Sequence, residues 1–203
     1  MKLHLVSLPR FSPEDYIKCL SAYKPDVLFV VPSLVNFLTE NTNIKRDLLD
    51  SVNYIQSGAA PLTDGLLQRF KRKFGDHIQV RQGYGMTESS PVTVLMPKQA
   101  PISKHNTIGV LIPNTIARIV DLTTGESQGP NKPGELQIKG PQIMMGYLNN
   151  EKATAETIDE DGWLLTGDVA YYDDDKYFYI IDRCKELIKV KGNQVGSTNE
   201  YIM

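Results

Sequence analysis

The chain has 203 residues, 41% hydrophobic and 23% charged, which is the composition of a globular protein with one substantial core. Its 22 basic and 24 acidic residues give a net charge of −2, so charge offers no argument for binding nucleic acid or an anionic membrane. No apolar run approaches the roughly 20 residues of a transmembrane segment, and two cysteines without metal-ligand spacing predict reduced thiols in the cytoplasm.

Residues 1–85 alternate between helical and strand patterns, which predicts part of an α/β layered fold. Ser12 caps a first helix, Pro13 opens it, and Lys24-Pro25 ends it. Residues 27–31 form a continuous run of β-branched and aromatic side chains, which predicts a strand buried on both faces. Further helices are predicted at 33–40 and 63–74, and further strands at 52–56 and 78–82.

After Pro101 the pattern changes to short strands separated by turn clusters. The cluster Asp173-Asp174-Asp175 is typical of an acidic hairpin turn, a better interpretation than a metal site. We therefore predict a β-rich subdomain in the form of a small distorted barrel. Its strands are predicted at 116–120, 134–139, 163–166 and 177–181.

A glycine-containing string follows the strand predicted at 78–82, where α/β sheets bind ligands. Its glycines allow a tight exit from the strand and a close approach of backbone to ligand. Thr87 offers a hydroxyl and an amide to phosphate oxygens, and Glu88 is a hard oxygen ligand suited to Mg²⁺. A polar turn capped by Thr87 is the plainer alternative for those two residues alone. The string comprises Gln82, Gly83, Tyr84, Gly85, Met86, Thr87, Glu88, Ser89, Ser90 and Pro91.

A second string, Gly162-Trp163-Leu164-Leu165-Thr166-Gly167-Asp168, places Asp168 at the end of a predicted strand. A third soon follows it, Asp182-Arg183-Cys184-Lys185-Glu186-Leu187-Ile188-Lys189-Val190-Lys191-Gly192. A carboxylate in the place of Asp168 can accept hydrogen bonds from both hydroxyls of a ribose. The structural alternatives are a turn-forming Asp168 and an exposed ion pair between Arg183 and Asp182.

Taken together and in this order, these strings resemble the acyl-adenylate-forming (AMP-binding) superfamily. The similarity is to the branch of acyl-CoA synthetases, 4-coumarate–CoA ligases and firefly luciferase, and it runs from near residue 10 to Val195. It implies an enzyme that adenylates a small carboxylic acid with ATP and Mg²⁺, and then transfers the acyl group to CoA. The acid itself is not defined by this sequence.

The resemblance also implies a role for each matching residue. Tyr84 would pack on adenine, Thr87 and Glu88 would serve phosphate and metal, and Asp168 and Arg183 would reach the ribose. The family hinge falls on Asp182, and Lys189 and Gln194 would approach the adenylate when the thioester forms. A further segment, Gln56-Ser57-Gly58-Ala59-Ala60-Pro61-Leu62, would pass under the adenine and border the acyl pocket. For this segment, a simple strand-to-helix turn is nearly as good an interpretation.

The resemblance further places the phosphate loop before Met1 and the catalytic lysine beyond Met203. We therefore predict a fragment that does not catalyse the reaction by itself. Its parts would be the C-terminal half of an α/β subdomain (1–112), a β-rich subdomain (113–181), and the hinge with the start of a small C-terminal domain (182–203).

Three other functions stay open at this point. One is an adenylation domain that serves a carrier protein, and another is a luciferase-type oxygenase on the same scaffold. The third is a non-catalytic nucleotide-binding or regulatory module that associates with a full-length homologue. The parent enzyme could also be peroxisomal, although Tyr201-Ile202-Met203 is not a Ser-Lys-Leu type signal.

Overall fold

A computed structural model describes residues 4–104, 106–184, 188–190 and 193–195, the last two stretches by their backbone. It divides after Arg81 into two units, Met1–Arg81 and Gln82–Met203. Helices and sheets occur as predicted, so the α/β fold class is confirmed. The division predicted at residues 112 and 181 concerns a larger fold and stays a prediction.

The first unit alternates helices and strands. Strands β1 and β2 pair in parallel, with Val27 opposite Tyr54 and Val30 opposite Ser57. The Gln79 N–H continues this ladder by donating to the carbonyl of Asn53 at 3.1 Å. The elements are α1 (Pro13–Tyr23), β1 (Val27–Val30), α2 (Pro32–Glu40), a 3₁₀ turn (Arg46–Leu49), β2 (Tyr54–Ser57), α3 (Asp64–Phe74) and the start of β3 (Gln79–Gly85).

Helix α3 shows how the sequence defines these elements. Thr63 caps it by accepting the Leu66 N–H at 3.3 Å, and Gly75 ends it with a φ of +95°. Between these ends, one face of the helix is apolar and the other is basic. The apolar face is buried as predicted, and it comprises Leu66, Leu67, Phe70 and Phe74.

The burial predicted for strand β1 is wrong on one face. Leu28 and Val30 are buried, whereas the side chain of Phe29 is 72% exposed. Side chains alternate between the two faces of a strand, so Leu28 and Val30 lie on one face and Phe29 on the other. In the described residues, therefore, only one face of β1 is covered. The unbroken apolar run could not distinguish one covered face from two.

The second unit is mainly antiparallel. It contains a sheet of order β10-β9-β8-β6-β7, with a core that includes Ile119, Leu136 and Ile138. The end of β3 pairs with β4, and β4 pairs with β5. The elements are a 3₁₀ turn (Thr87–Ser89), β4 (Val92–Leu95), a 3₁₀ turn (Ile102–Lys104), β5 (Val110–Leu111), β6 (Ile116–Val120), β7 (Ser127–Gln128), β8 (Gly134–Lys139), α4 (Glu151–Thr157), β9 (Leu164–Tyr172), β10 (Phe178–Arg183), β11 (Ile188–Val190) and β12 (Asn193–Val195).

The β-rich character predicted for this region is confirmed, but its sheet is open. Strands β7 and β10 lie at opposite ends of the strand order. Across the described part of the chain the sheet does not close into the predicted distorted barrel. At the β10 end, Phe178 instead forms an isolated bridge with Gly109.

The turn between β9 and β10 is the predicted acidic hairpin, and Asp173 organises it. Its carboxylate accepts the N–H groups of Asp175 and Tyr177 at 3.0 Å each, and it binds Lys104 Nζ at 2.5 Å. Burial opposes ionisation of Asp173. The hydrogen bonds from Lys104, Tyr177 and Tyr179 outweigh it and hold the pKa of the carboxyl below its ordinary value.

Replacing Asp173 by Asn is therefore expected to lower stability at neutral pH. Because the pKa of Asp173 is lowered in the folded chain, its contribution is present above the unfolded value of about 3.9. That contribution is lost as the pH falls through the lower, folded value. Below about pH 4 the Asn variant should thus lose stability less steeply than wild type in urea unfolding. Asp174→Asn, in the exposed middle of the same turn, is the matched control and should keep the wild-type slope.

Candidate functional site

The end of β3 carries the glycine-containing string into a tight turn. Gly83 and Tyr84 pair with Leu95 and Val94, and the register then shifts before Gly85. A Cβ at Gly85 would lie 1.8 Å from the carbonyl oxygen of Pro91. Only glycine fits there, and the close neighbour that requires it is the chain's own backbone.

The turn after β3 is held together internally. Ser89 is fully buried, and its hydroxyl accepts the Met86 N–H at 3.1 Å while it donates to the carbonyl of Pro91 at 2.7 Å. This leaves Thr87 exposed and Glu88 half-buried on the outer side of the turn. Both residues predicted to serve phosphate and metal are thus accessible to a ligand.

Glu88 is held from a second direction by the loop before α4. The Tyr147 hydroxyl donates to Glu88 Oε1 at 2.7 Å, and the Met144 N–H donates to the carbonyl of Glu88 at 2.8 Å. The contact with Glu88 raises the pKa of Tyr147, so the tyrosine stays a neutral donor. Glu88 Oε2 and the second lone pair of Oε1 stay available to a cation.

The donor set of Glu88 fits Mg²⁺ rather than a metal caged by protein alone. The described residues include no group of three or more His, Cys, Asp or Glu side chains able to hold a metal. Mg²⁺ is commonly held by one or two carboxylates together with substrate phosphates. A single positioned carboxylate beside an exposed threonine matches that pattern.

Asp168 is a buried acidic residue of the second unit, with 6% of its surface exposed. Its Oδ2 accepts the Tyr84 hydroxyl at 2.5 Å, and its Oδ1 lies 3.3 Å from Arg183 Nε. Burial, and then the charge of Asp168, raise the pKa of Tyr84, so this phenol also remains a neutral donor. An ionised carboxylate has about four lone-pair sites. Asp168 can therefore keep both contacts and still accept two ligand hydroxyls.

Three predicted site residues thus meet around one carboxylate. Arg183 is opposite Asp168 in the β9–β10 register, and Tyr84 comes from the end of β3. The Arg183 side chain is 67% exposed, so its ion pair is screened by solvent and leaves its outer N–H groups accessible. The arrangement is a fixed acceptor flanked by one phenol and one cation.

Other predicted residues lie elsewhere in the chain. Gly58, Ala59, Ala60 and Pro61 follow β2 in the first unit, where Ala59 has a left-handed φ of +68°. Lys189 is opposite Gln194 in the β11–β12 pair, of which the backbone is described. Asp182 is buried and accepts the Arg183 N–H at 2.8 Å. Gln82, also buried, accepts the Met96 N–H through its carbonyl at 3.0 Å.

Sequence reasoning missed two residues that the structure makes prominent. Tyr147 holds Glu88, and Glu135 accepts the backbone N–H of Gly167 beside Asp168. Neither carries a local sequence signal, because each acts through a tertiary contact. Ser57, inside the segment predicted to pass under the adenine, is 1% exposed, and its hydroxyl has no hydrogen-bond partner among the described residues.

Residues 1–148 match the family model described as "AMP-binding enzyme". The chain therefore belongs to the AMP-binding enzyme family, and the predicted resemblance is confirmed.

Named relatives agree with this membership. The chain is 42% identical over 191 residues to "Probable 4-coumarate--CoA ligase 1" of Dictyostelium discoideum, covering 94% of this chain and 34% of that protein. It is 41% identical over 193 residues to "Luciferin 4-monooxygenase" of Photinus pyralis, covering 95% of this chain and 34% of that protein. The ATP-bound structure of MatB from Rhodopseudomonas palustris superposes with a TM-score of 0.82 at 26% identity, covering 94% of this chain and 37% of that chain. The chain thus spans about a third of the length of the curated relatives it matches.

Across the described residues, no helix is both long and apolar enough to cross a membrane.

Proposed function

We propose that this chain supplies the ribose and metal side of the site in an ATP-dependent acid–CoA ligase. The observation that carries the proposal is the buried Asp168 carboxylate, held by Tyr84 and Arg183 in a chain of the AMP-binding family. ATP, Mg²⁺, CoA and a small carboxylic acid are the reactants and cofactors that this function requires.

In the first step an oxygen of the substrate carboxylate attacks the α-phosphorus of ATP. The bond from that phosphorus to the bridging oxygen breaks, and pyrophosphate leaves with the electron pair. Asp168 would fix the ribose through both hydroxyls and Thr87 would donate to phosphate oxygens. Glu88 would hold Mg²⁺, which neutralises phosphate charge when bound. These residues act mainly by positioning, because phosphoryl chemistry needs little covalent help from the protein.

In the second step the thiol sulfur of CoA attacks the acyl carbon of the adenylate and loses its proton to solvent. The bond from that carbon to the phosphate oxygen breaks, and AMP leaves with the electron pair. Lys189 and Gln194 are proposed to approach the adenylate at that stage, with Asp182 as the hinge. Gly58, Ala59, Ala60 and Pro61 are proposed to lie against the adenine. These assignments follow the family resemblance.

The direct test is a chimera. This chain replaces the matching third of a 4-coumarate–CoA ligase, and acid-dependent AMP release is measured with and without CoA. Glu88→Gln should lower turnover by about 100- to 1000-fold, the cost of losing one oriented charge at the reacting phosphate. It should also abolish the Mg²⁺ dependence of ATP affinity. Glu126→Gln, in an exposed turn, makes the same charge change away from the site and should alter neither.

A chimera that folds but releases no AMP with aromatic or fatty acids would contradict the proposal. Oxygen consumption or light emission would favour the luciferase-type alternative, since both kinds of relative are about equally similar to this chain. The isolated chain is expected to bind AMP weakly and not to turn over. Pyrophosphate release within tenfold of a full-length relative would contradict that expectation.

A further inference from the structure

The segment that presents Asp168 is a bulge in the sheet. Along β8–β9, Gln137 is opposite Leu165 and Glu135 is opposite Val169. One residue on β8, Leu136, is therefore matched by three on β9. Thr166, Gly167 and Asp168 thus leave the β8–β9 ladder. A bulge of this kind re-aims a side chain, and it leaves backbone groups that need other partners.

Side chains and a neighbouring strand supply those partners. Glu135 Oε1 accepts the Gly167 N–H at 3.2 Å, and the carbonyl of Gly167 accepts the Cys184 N–H at 2.8 Å. The Asp168 N–H donates to Thr166 Oγ1 at 3.1 Å. Gly167 itself has a left-handed φ of +69°. Both peptide groups of Gly167 are thus fixed, and they set the direction in which Asp168 leaves the backbone.

Glu135 is itself fixed by a chain of hydrogen bonds. Its Oε2 accepts from Gln137 Nε2 at 3.0 Å, and Gln137 Oε1 accepts from Arg118 Nε at 2.8 Å. Gln137 is 6% exposed, so this chain is shielded from competing water. Arg118 is anchored in turn by Asp159, at 3.2 Å. The carboxylate of Glu135 therefore has one orientation, with one oxygen aimed at Gly167.

The charges of Glu135 and Asp168 both act on one thiol, that of Cys184. Burial of Cys184, followed by the charges of Glu135 and Asp168, raises its pKa to about 11. Because Glu135 accepts the N–H of Gly167, the residue just before Asp168, both side chains belong to the same bulge although one lies on β8 and the other on β9.

We propose that Glu135 is a positioning residue, which holds the Gly167 bulge so that the Asp168 carboxylate faces the ribose of the nucleotide. The assignment rests on the proposed function. The role requires a carboxylate, because Glu135 must accept from two donors, the Gly167 N–H and the Gln137 amide. In Glu135→Gln the shape is kept, but an NH₂ group must face one of those donors.

The first experiment needs no nucleotide. In ¹H–¹⁵N correlation spectra of the full chain, the Gly167 amide proton is expected far downfield, because it is bonded to a carboxylate. It should move upfield in Glu135→Gln and stay in place in the control Glu126→Gln. A Gly167 amide resonance that stays in its wild-type position in Glu135→Gln overturns the proposal. The dispersion of the same spectra shows whether each variant is folded.

The second experiment isolates the ribose. Binding of AMP and of 2′,3′-dideoxy-AMP is measured by calorimetry for wild type, Glu135→Gln and Glu135→Asp. Both variants should bind AMP about tenfold more weakly than wild type, the effect of one charge-assisted contact. They should bind the dideoxy analogue less than twofold more weakly. The Asp variant retains the charge but retracts the carboxylate by one methylene, so it tests position if the Gln variant does not fold.

The outcomes separate the two proposals. Equal weakening of both nucleotides, or wild-type affinity in Glu135→Asp, overturns the positioning role. Failure of the wild-type chain to bind AMP overturns the proposed function, and with it the role of Glu135 in ribose binding. In that case, a Gly167 amide resonance that still shifts in Glu135→Gln shows that the contact between Glu135 and Gly167 exists. The failure then lies with the proposed function.

Discussion

Replacing Asp168 by Ala should lower the affinity of the chain for AMP by more than about a hundredfold. Each hydrogen bond to a charged group contributes about 1.5–3 kcal/mol, and two ribose hydroxyls would be released, at least about 3 kcal/mol together. The substitution also removes the acceptor of the Tyr84 hydroxyl, which is then left half-buried without that partner. Calorimetric titration with AMP checks the loss, which should leave the variant without detectable binding under conditions in which wild type binds.

Two comparisons make this prediction specific. For 2′,3′-dideoxy-AMP, which lacks both hydroxyls, the affinities of wild type and Asp168→Ala should differ by far less than their affinities for AMP do. Asp161→Ala is the control, because Asp161 is an exposed acid in the same unit. It should bind AMP like wild type. Wild-type AMP affinity in a folded Asp168→Ala variant would refute a ribose role for this carboxylate.

Replacing Phe70 by Ala should destabilise the first unit by about 3–5 kcal/mol. Phe70 is fully buried on the inner face of α3, and its ring centroid lies 4.8 Å from that of Phe74. The substitution removes apolar contact and leaves a cavity that close-packed neighbours fill only in part. Since domains are stable by only about 5–15 kcal/mol, this is a large share of the total.

Urea unfolding followed by two probes measures that effect. Three of the four α-helices in the described residues belong to the first unit, so far-ultraviolet circular dichroism follows mainly that unit. The second probe is the fluorescence of Trp163, the one tryptophan of the sequence, which lies in the second unit. The circular dichroism midpoint should fall markedly in Phe70→Ala. Arg72→Ala, on the exposed face of the same helix, should change stability by less than about 0.5 kcal/mol. Equal midpoints for wild type and Phe70→Ala would contradict the packing argument.

The local rules of the sequence predicted most of the helices and strands. Ser12, Thr63 and Gly75 mark helix ends by chemistry that acts within a few residues, and the structure places the ends there. Strands β6 and β8 have the bounds that their turn-flanked patterns predicted. Strand β9 continues six residues beyond its predicted end, through Thr166-Gly167-Asp168. The turn residues Gly167 and Asp168 indicated a strand end, where the structure has a bulge.

The site was predictable only where its residues are adjacent in sequence or match a known string. Tyr84 and Asp168 were both expected at a nucleotide, but their mutual hydrogen bond spans 84 residues and no local pattern encodes it. Tyr147 and Glu135 were missed for the same reason, because their partners Glu88 and Gly167 lie far along the chain. The predicted burial of β1 failed because the number of covered faces depends on what packs against the strand.

The turn at Gly85 changes how a glycine at that position should be interpreted in an evolutionary comparison. Any side chain there would overlap the Pro91 carbonyl, and that restriction holds whether or not a nucleotide ever binds. Descendants that had lost catalysis would still retain the glycine for as long as they kept the β3–β4 turn. Its presence in a related gene therefore reports ancestry and folding. Selection for chemistry would be visible instead at Glu88 and Asp168, whose charges the turn itself does not require.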